Sequence, residues 1–268
     1  MKIHKLTLLP GLLFSLLANA QEDNWDVYMS QQDKGLASTM INLSLKAEAP
    51  VKKMPFLLIT GVKFKDCTED GMPSKKEFDN LYKVEDSIEN IITENIQAKH
   101  AGTYTYACER QEYYYVSDTA GIRKKLQAMY KKNFPGYTGY VNIRKDQSWS
   151  GYLDFLYPSE EVLEFMKNQK VLLNLTQAGD KLEKERKVDH FIYFTSEKDQ
   201  DCFITYATAQ NFKVEGKDKV TGTRPFKLQI SRTDKVDAVS ITPLTLELRK
   251  QASRCNGDYD GWETFVIK

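Results

Sequence analysis

A chain of 268 residues, 41% hydrophobic, 28% charged and 12% aromatic, carries enough apolar material for one large or two small domains. It is neither disordered nor collagen-like. Lys and Arg total 38 against 37 Asp and Glu, so no bulk charge points to an acidic substrate, and no nucleic-acid partner is expected.

Residues 1–20 read as an export signal. Lys2 and Lys5 flank the start of the stretch LTLLPGLLFSLLANA, too short for a membrane span, and Ala18, Asn19 and Ala20 make a small-residue cleavage end. The expected mature chain begins at Gln21, has no transmembrane span, and is periplasmic or secreted. In that setting Cys67, Cys108, Cys202 and Cys255, which contain no CxxC, are expected to form disulfides rather than a zinc or redox site. Four thiols allow three connectivities. With two cysteines in each half, Cys67–Cys108 and Cys202–Cys255 is the economical pairing.

Residues 25–30 and 38–46 alternate apolar and polar positions as strands do, with QQDKG between them as a turn. The apolar run at 55–64 suits a buried central strand. Ser74 and Glu77 form a capping box for a helix striped by Phe78, Leu81, Val84, Ile88, Ile91 and Ile92. Residues 102–108 and 112–117 read as a hairpin with ERQ at its bend, and the alternation within YYYVS predicts at least one tyrosine facing away from the core. A helix over 120–132 and a short strand at 140–143 come next. Trp149, Tyr152, Leu153 and Leu156 then make a helical face, and Ser159 caps a helix that Gly179 ends.

The charged run DKLEKERK (180–187) reads as a solvated domain link. Beyond it come a strand at 190–195, a helix capped by Ser196, strands at 212–216 and 226–232, a helix started by Thr242-Pro243, and a strand at 259–267. That order is βαββαβ, the ferredoxin-like split pattern. The expected fold class is α+β: two antiparallel-sheet/helix sandwich domains, 21–178 and 179–268, the C-terminal one ferredoxin-like. This topology brings Cys202, in the first turns of one helix, to the same end as Cys255 in the last turn of its antiparallel neighbour. Cys67 and Cys108 follow parallel strands and share an edge.

The chemistry in the sequence is sparse. It holds no GxSxG, HExxH, GxGxxG or P-loop pattern, and only His100 and His190 remain once the leader is removed. No catalytic residue, metal ligand or cofactor is assigned. The binding candidates are Tyr113 and Tyr115 in the tyrosine-rich hairpin, His190 at the head of FIYF, and Asp260 and Trp262 near the C-terminus.

Three stretches carry a resemblance. The ending Tyr259-Asp260-Gly261-Trp262-Glu263-Thr264-Phe265 resembles the YDGWxTxF close of the RraB-like family, regulators of ribonuclease E activity B. GDKLEKERKVDHFIYF (179–194) is similar to that domain's lead-in, through Arg186, Val188 and His190. DQSWSGYLDFLYP (146–158) and MPFLLITGVKF…DGMPSKKEFDNL resemble domain-of-unknown-function family 695. The resemblance implies a ferredoxin-like C-terminal domain and, for the regulators themselves, non-catalytic inhibition by binding the nuclease. The leader, and the 16 basic and 15 acidic residues of 180–268, point away from a cytoplasmic nuclease partner.

The leading expectation is an exported, non-catalytic binding or inhibitor-like protein whose partner is an unknown protein or envelope component. The alternative is a carbohydrate- or envelope-binding module using the tyrosine-rich strands. A third is a hydrolase, which requires His190 or His100 beside carboxylates in a cleft.

Overall fold

The computed structural model describes residues 23–268, so the expected leader lies outside the described residues. The chain forms two compact units: Met40–Leu153 with the stretch ending at Asp26, and Asp154–Lys268 with Val27–Thr39. Helix and strand are mixed in both, each around an antiparallel sheet. No helix among the described residues is long and apolar enough to cross a membrane.

The chain opens with strands β1 (Trp25–Gln32) and β2 (Gly35–Asn42), a 3-10 turn (Leu43–Ala47) and strand β3 (Phe56–Lys63). Helix α1 (Phe78–Thr93), strands β4 (Ala98–Tyr106) and β5 (Glu109–Val116), helix α2 (Ile122–Asn133) and strand β6 (Thr138–Lys145) follow. The sheet order is β1-β2-β4-β5-β3-β6. Leu81, Val84, Ile88 and Ile92 of α1 pack with Ile122 and Leu126 of α2 onto Leu58, Val62, Tyr114 and Val141 of the sheet.

Two local expectations need correction here. Ser74 does not cap α1. Its hydroxyl instead donates to Asp66 Oδ2 at 2.7 Å, and the helix starts at Glu77 without a side-chain cap. The hairpin bend is Ala107-Cys108, not ERQ. Both residues have left-handed φ (50° and 60°), as a two-residue turn matched to strand twist requires, which leaves Glu109–Gln111 in the ladder.

β3 and β4 each run antiparallel to β5 and so run alike. Their ends carry Cys67 and Cys108, which are disulfide-bonded with a Cα–Cα distance of 5.8 Å.

The other face of this sheet is closed by the segment after β6. Asp146 accepts from the Gly151 amide at 2.9 Å, the Ser150 amide at 3.0 Å and the Tyr115 hydroxyl at 2.6 Å. Burial opposes its charge, but these donors outweigh that and hold the carboxyl below its usual range. Trp149, left-handed at φ 58°, stacks on Tyr115 with ring centroids 4.0 Å apart and donates to the Met54 carbonyl at 3.0 Å. A Cβ at Gly151 would lie 2.4 Å from Leu57 Cδ2 and 3.1 Å from the Tyr115 hydroxyl, so glycine lets the segment sit close on the sheet. The motif DQSWSG is therefore a lid on the sheet.

The second unit contains a π-helical turn (Gly151–Leu156, whose first residues belong to the first unit), helix α3 (Glu160–Gln177), strand β7 (Arg186–Phe194), helix α4 (Glu197–Ala209), and strands β8 (Lys213–Lys219) and β9 (Phe226–Asp234). Helix α5 (Ala238–Arg254) and strand β10 (Gly257–Glu263) complete it. The sheet order is β10-β7-β9-β8, all neighbours antiparallel, so the first and third strands lie at the centre. Phe203 and Ala207 of α4 and Leu248 and Ala252 of α5 pack on Ile192, Phe194, Leu228 and Ile230. Cys202 in α4 is bonded to Cys255, the C-cap of α5. The outer strand β8 is charged at nearly every second position and is bulged between Val214 and Gly216.

Ser159 and Ser196 cap their helices as expected, each accepting a backbone N–H in the first turn. Thr242-Pro243 does not start α5. Asp237 caps the helix earlier, accepting from Val239 and Ser240.

The run at 180–187 is not a solvated link either. Asp180 and Arg186 are 5% and 3% exposed and paired, with Arg186 Nη2 donating at 3.0 Å. Asp180 also accepts from the Leu182 and Ile267 amides at 2.8 and 2.7 Å, clipping the C-terminal segment. Helix α3, on the upstream side of that run, belongs to the second unit: its Leu172 and Leu175 pack with Val188, Val236, Ile241 and Trp262.

Candidate functional site

The site with the most chemistry lies in the first unit, on the helix-facing side of β4 and β5. Alternation along β5 puts Arg110, Glu112, Tyr114 and Val116 on that side. On β4 a bulge between His100 and Gly102 adds one residue. His100 then stands opposite Tyr114, Thr103 opposite Glu112 and Thr105 opposite Arg110, all on one face despite their odd spacing.

Glu112 is 1% exposed and is held by three neighbours. Thr103 donates its hydroxyl to Oε2 at 2.5 Å, His100 Nε2 lies 3.1 Å from the same oxygen, and Arg110 Nε is 3.3 Å from Oε1. Arg110 also donates to Glu85 of α1 at 2.6 Å. Burial and the charge of Glu112 raise the Glu85 pKa despite Arg110. Burial opposes the charge on Arg110, but Glu112 and Glu85 together raise its pKa.

His100 stacks on Tyr114 with centroids 4.4 Å apart, and Trp25 lies 5.0 Å from the imidazole on a tilted plane. These rings line a cleft of about 560 Å³, within the size range of small-molecule sites. Glu85 and Glu89 of α1, Met40, Leu45 and Lys99 line the rest, along with Asp23 and Asn42. Lys99 is paired with Glu48 at 2.6 Å, and Asp23 accepts from Asn42 at 2.9 Å. Tyr114 is 1% exposed, and its hydroxyl has no hydrogen-bond partner among the described residues. Burial and the charges of Glu112, Glu89 and Glu85 push its pKa far up.

The residues singled out from sequence lie elsewhere. Tyr113 and Tyr115 are 5% and 0% exposed, so neither offers a platform. The expectation that a tyrosine of YYYVS faces away from the core fails in this sense: Tyr113 and Tyr115 do point away from the helices, but that face is buried too. Tyr113 donates to Gln111 at 2.9 Å.

His190 is fully buried in the second unit, with Nδ1 2.8 Å from the Tyr259 hydroxyl. Burial, assisted by the nearby Arg232 charge, pulls its pKa down to about 3, so the ring is neutral. Asp260 is the extra residue of a bulge in β10. That bulge restores the alternation: Tyr259 pairs with Ile192 and Trp262 with His190, so both aromatic rings fall on the core face. Trp262 Nε1 donates to Asn168 Oδ1 of α3 at 2.8 Å, and Asn168 donates to Thr245 at 2.9 Å. The structure thus joins His190 with Trp262 across one strand pair, and Tyr113 with Tyr115 on one face of β5.

Among the described residues no group of three or more His, Cys, Asp or Glu side chains is placed to hold a metal ion.

The profile of a family of unknown function, DUF695, matches residues 23–157, about half of the chain. The chain belongs to the DUF695 family. Following that DUF695 region, residues 166–264 match the family described as regulator of ribonuclease activity B. None of the curated proteins matches this DUF695 chain. A crystal structure of an unknown protein from Galdieria sulphuraria is similar over 79% of this chain and 98% of its own, at 11% identity. Its TM-score of 0.20 is too low to carry an argument about the fold.

Sequence reasoning missed Arg110, Glu112 and Glu85 and did not weigh Tyr114 apart from the other tyrosines. Charged residues at alternate positions of ERQEYYYV were the available signal, and assigning ERQ to a bend concealed it.

Proposed function

We propose that this chain is an exported, non-catalytic binding protein of the regulator type, cut after Ala20 and active as a periplasmic or secreted protein. The observation that carries the reading is that each unit is closed by its own disulfide, Cys67–Cys108 and Cys202–Cys255, as suits an oxidising compartment. The leader-like residues 1–20 support the same placement. The match to regulators of ribonuclease activity B supports a regulatory or binding role for the second unit, and the leader-like residues 1–20 turn that role toward a protein or envelope component rather than an RNA-decay enzyme.

Binding stands ahead of hydrolysis for a geometric reason. His100 lines the cleft with Glu112 buried behind it, but the Thr103 hydroxyl is spent on Glu112 and His100 leans on the same carboxylate. The burial of Tyr113, Tyr114 and Tyr115 removes three rings from the tyrosine-platform alternative, which then rests on the half-buried Tyr104, Tyr106 and Tyr137.

The test is crosslinking in the native host, together with mass determination of the purified chain. The expected product starts at Gln21, has no titratable thiol and carries a reproducible envelope or extracellular partner. A product that retains Met1 and has four free thiols overturns the export reading. Failure to recover any specific partner overturns the binding reading.

A further inference from the structure

We propose that the cleft beside His100 is a binding site for a small primary ammonium compound carried on a short apolar stem. The inference rests on the binding reading of this chain but not on its export.

The first argument is charge. Asp23, Glu85 and Glu89 line the cleft, with Glu112 behind His100 and Glu48 beside Lys99. Against these five carboxylates stand two fixed cations, Lys99 and Arg110, each already paired. Glu89 has no ion-pair partner among the described residues, and Glu85 shares Arg110 with Glu112. Such a cleft favours a cation and repels phosphate or carboxylate ligands.

The second, independent observation is the Tyr114 hydroxyl. Tyr114 lines the cleft, and its hydroxyl is buried, feels the charges of Glu85, Glu89 and Glu112, and has no partner among the described residues. A buried hydroxyl left unpaired costs free energy, and a ligand that supplies the bond recovers it. An N–H donor satisfies the hydroxyl oxygen while its positive charge meets the carboxylates. A quaternary ammonium offers the charge without the donor.

The third argument is the wall. Trp25, His100 and Tyr114 form a run of stacked and tilted rings, with Met40 and Leu45 beside them. That surface suits an alkyl stem lying against the rings with its ammonium head toward α1.

The experiment is calorimetric titration of the oxidised chain, leader removed, with n-hexylammonium, tetramethylammonium, N-acetylglucosamine and inorganic phosphate. Hexylammonium is expected to bind saturably at one site per chain, with tetramethylammonium at least about tenfold weaker because it lacks both the N–H donor and the stem. Tyr114→Phe and Glu89→Gln are each expected to weaken hexylammonium by about tenfold with unchanged circular dichroism. If Tyr114→Phe does not fold, Glu89→Gln, an exposed position, carries the test alone. Three results overturn the inference: no hexylammonium binding, equal binding of tetramethylammonium, or binding indifferent to both variants. Binding of N-acetylglucosamine or phosphate without hexylammonium overturns it as well. A chain that captures a macromolecular partner yet ignores hexylammonium fails here alone. One that takes hexylammonium but captures nothing fails only the partner reading.

Discussion

The bond between Trp262 and Asn168 offers a double-mutant cycle whose outcome is set by hydrogen-bond inventory. Both residues are buried, at 8% and 1% exposure, and the indole N–H is 2.8 Å from the amide oxygen. Asn168→Leu removes the acceptor and leaves the indole donor without a partner in the core, at a cost of about 1–3 kcal/mol. Trp262→Phe leaves the Asn168 oxygen unpaired and adds a cavity term from the lost ring. The double variant retains the cavity but strands neither polar group. The Asn168 amide also donates to the hydroxyls of Thr245 at 2.9 Å and Thr242 at 3.3 Å; these bonds go in both Asn168 variants alike, and Thr245 keeps its own donation to the Thr242 carbonyl at 3.2 Å. The double variant should therefore be more stable than the summed single losses by about 1–2 kcal/mol. Hydrogen exchange on peptides from β7 and β9 reads the opening of this unit within the full chain. A coupling energy within about 0.5 kcal/mol of zero would refute the bond as a determinant of the second unit.

Other expectations are simpler. Replacing Cys202 and Cys255 by serine opens a loop of sequence separation 53, and replacing Cys67 and Cys108 one of 41; on the chain-entropy account each pair costs about 4 kcal/mol, read as a lowered urea midpoint. His190 has a folded pKa of about 3, below its unfolded value near 6.5, so the unfolded state gains the proton first as pH falls. Its contribution is complete above pH 6.5 and is lost toward pH 3 at up to about 1.4 kcal/mol per pH unit. His190→Phe should flatten that slope in urea titrations across pH, and an unchanged slope would exclude His190 as its source. Gly61→Ala places a Cβ 2.0 Å from the Arg110 carbonyl oxygen; the clash must part β3 from β5 and destabilise the first unit by about 3 kcal/mol or more, visible as lost amide protection in both strands.

Where the chain obeys a simple period, its structure was readable. The stripe of α1, the Ser159 and Ser196 caps and the pairing of all four cysteines came from spacing and topology. Where one extra residue breaks the period of two, it was not. The bulge after His100 turns His100 and Thr103 to one face, and the bulge at Asp260 does the same for Tyr259 and Trp262. A strict alternation puts each pair on opposite faces, so neither the polar cluster of the first unit nor the aromatic pair of the second could be assembled from sequence. Charge misled in a related way. Most of DKLEKERK is solvated, but its Asp180 and Arg186 are paired and buried, and Asn168, which bonds Trp262, Thr245 and Thr242, ties α3 to β10 and α5. The regulator match accordingly begins at residue 166, inside α3 and upstream of the charged run.

The character of β8 bears on how such a protein survives at high concentration. A terminal strand with free amides and carbonyls is a template on which another chain can lengthen the sheet. Lys213, Glu215, Lys217 and Lys219 place charge along this one, and the irregularity at Gly216 bends its hydrogen-bonding line out of register with a flat newcomer. Stacking a further strand there would bring charged side chains together and leave bonds unmade. The charged, bulged rim thus opposes edge-to-edge extension of this sheet.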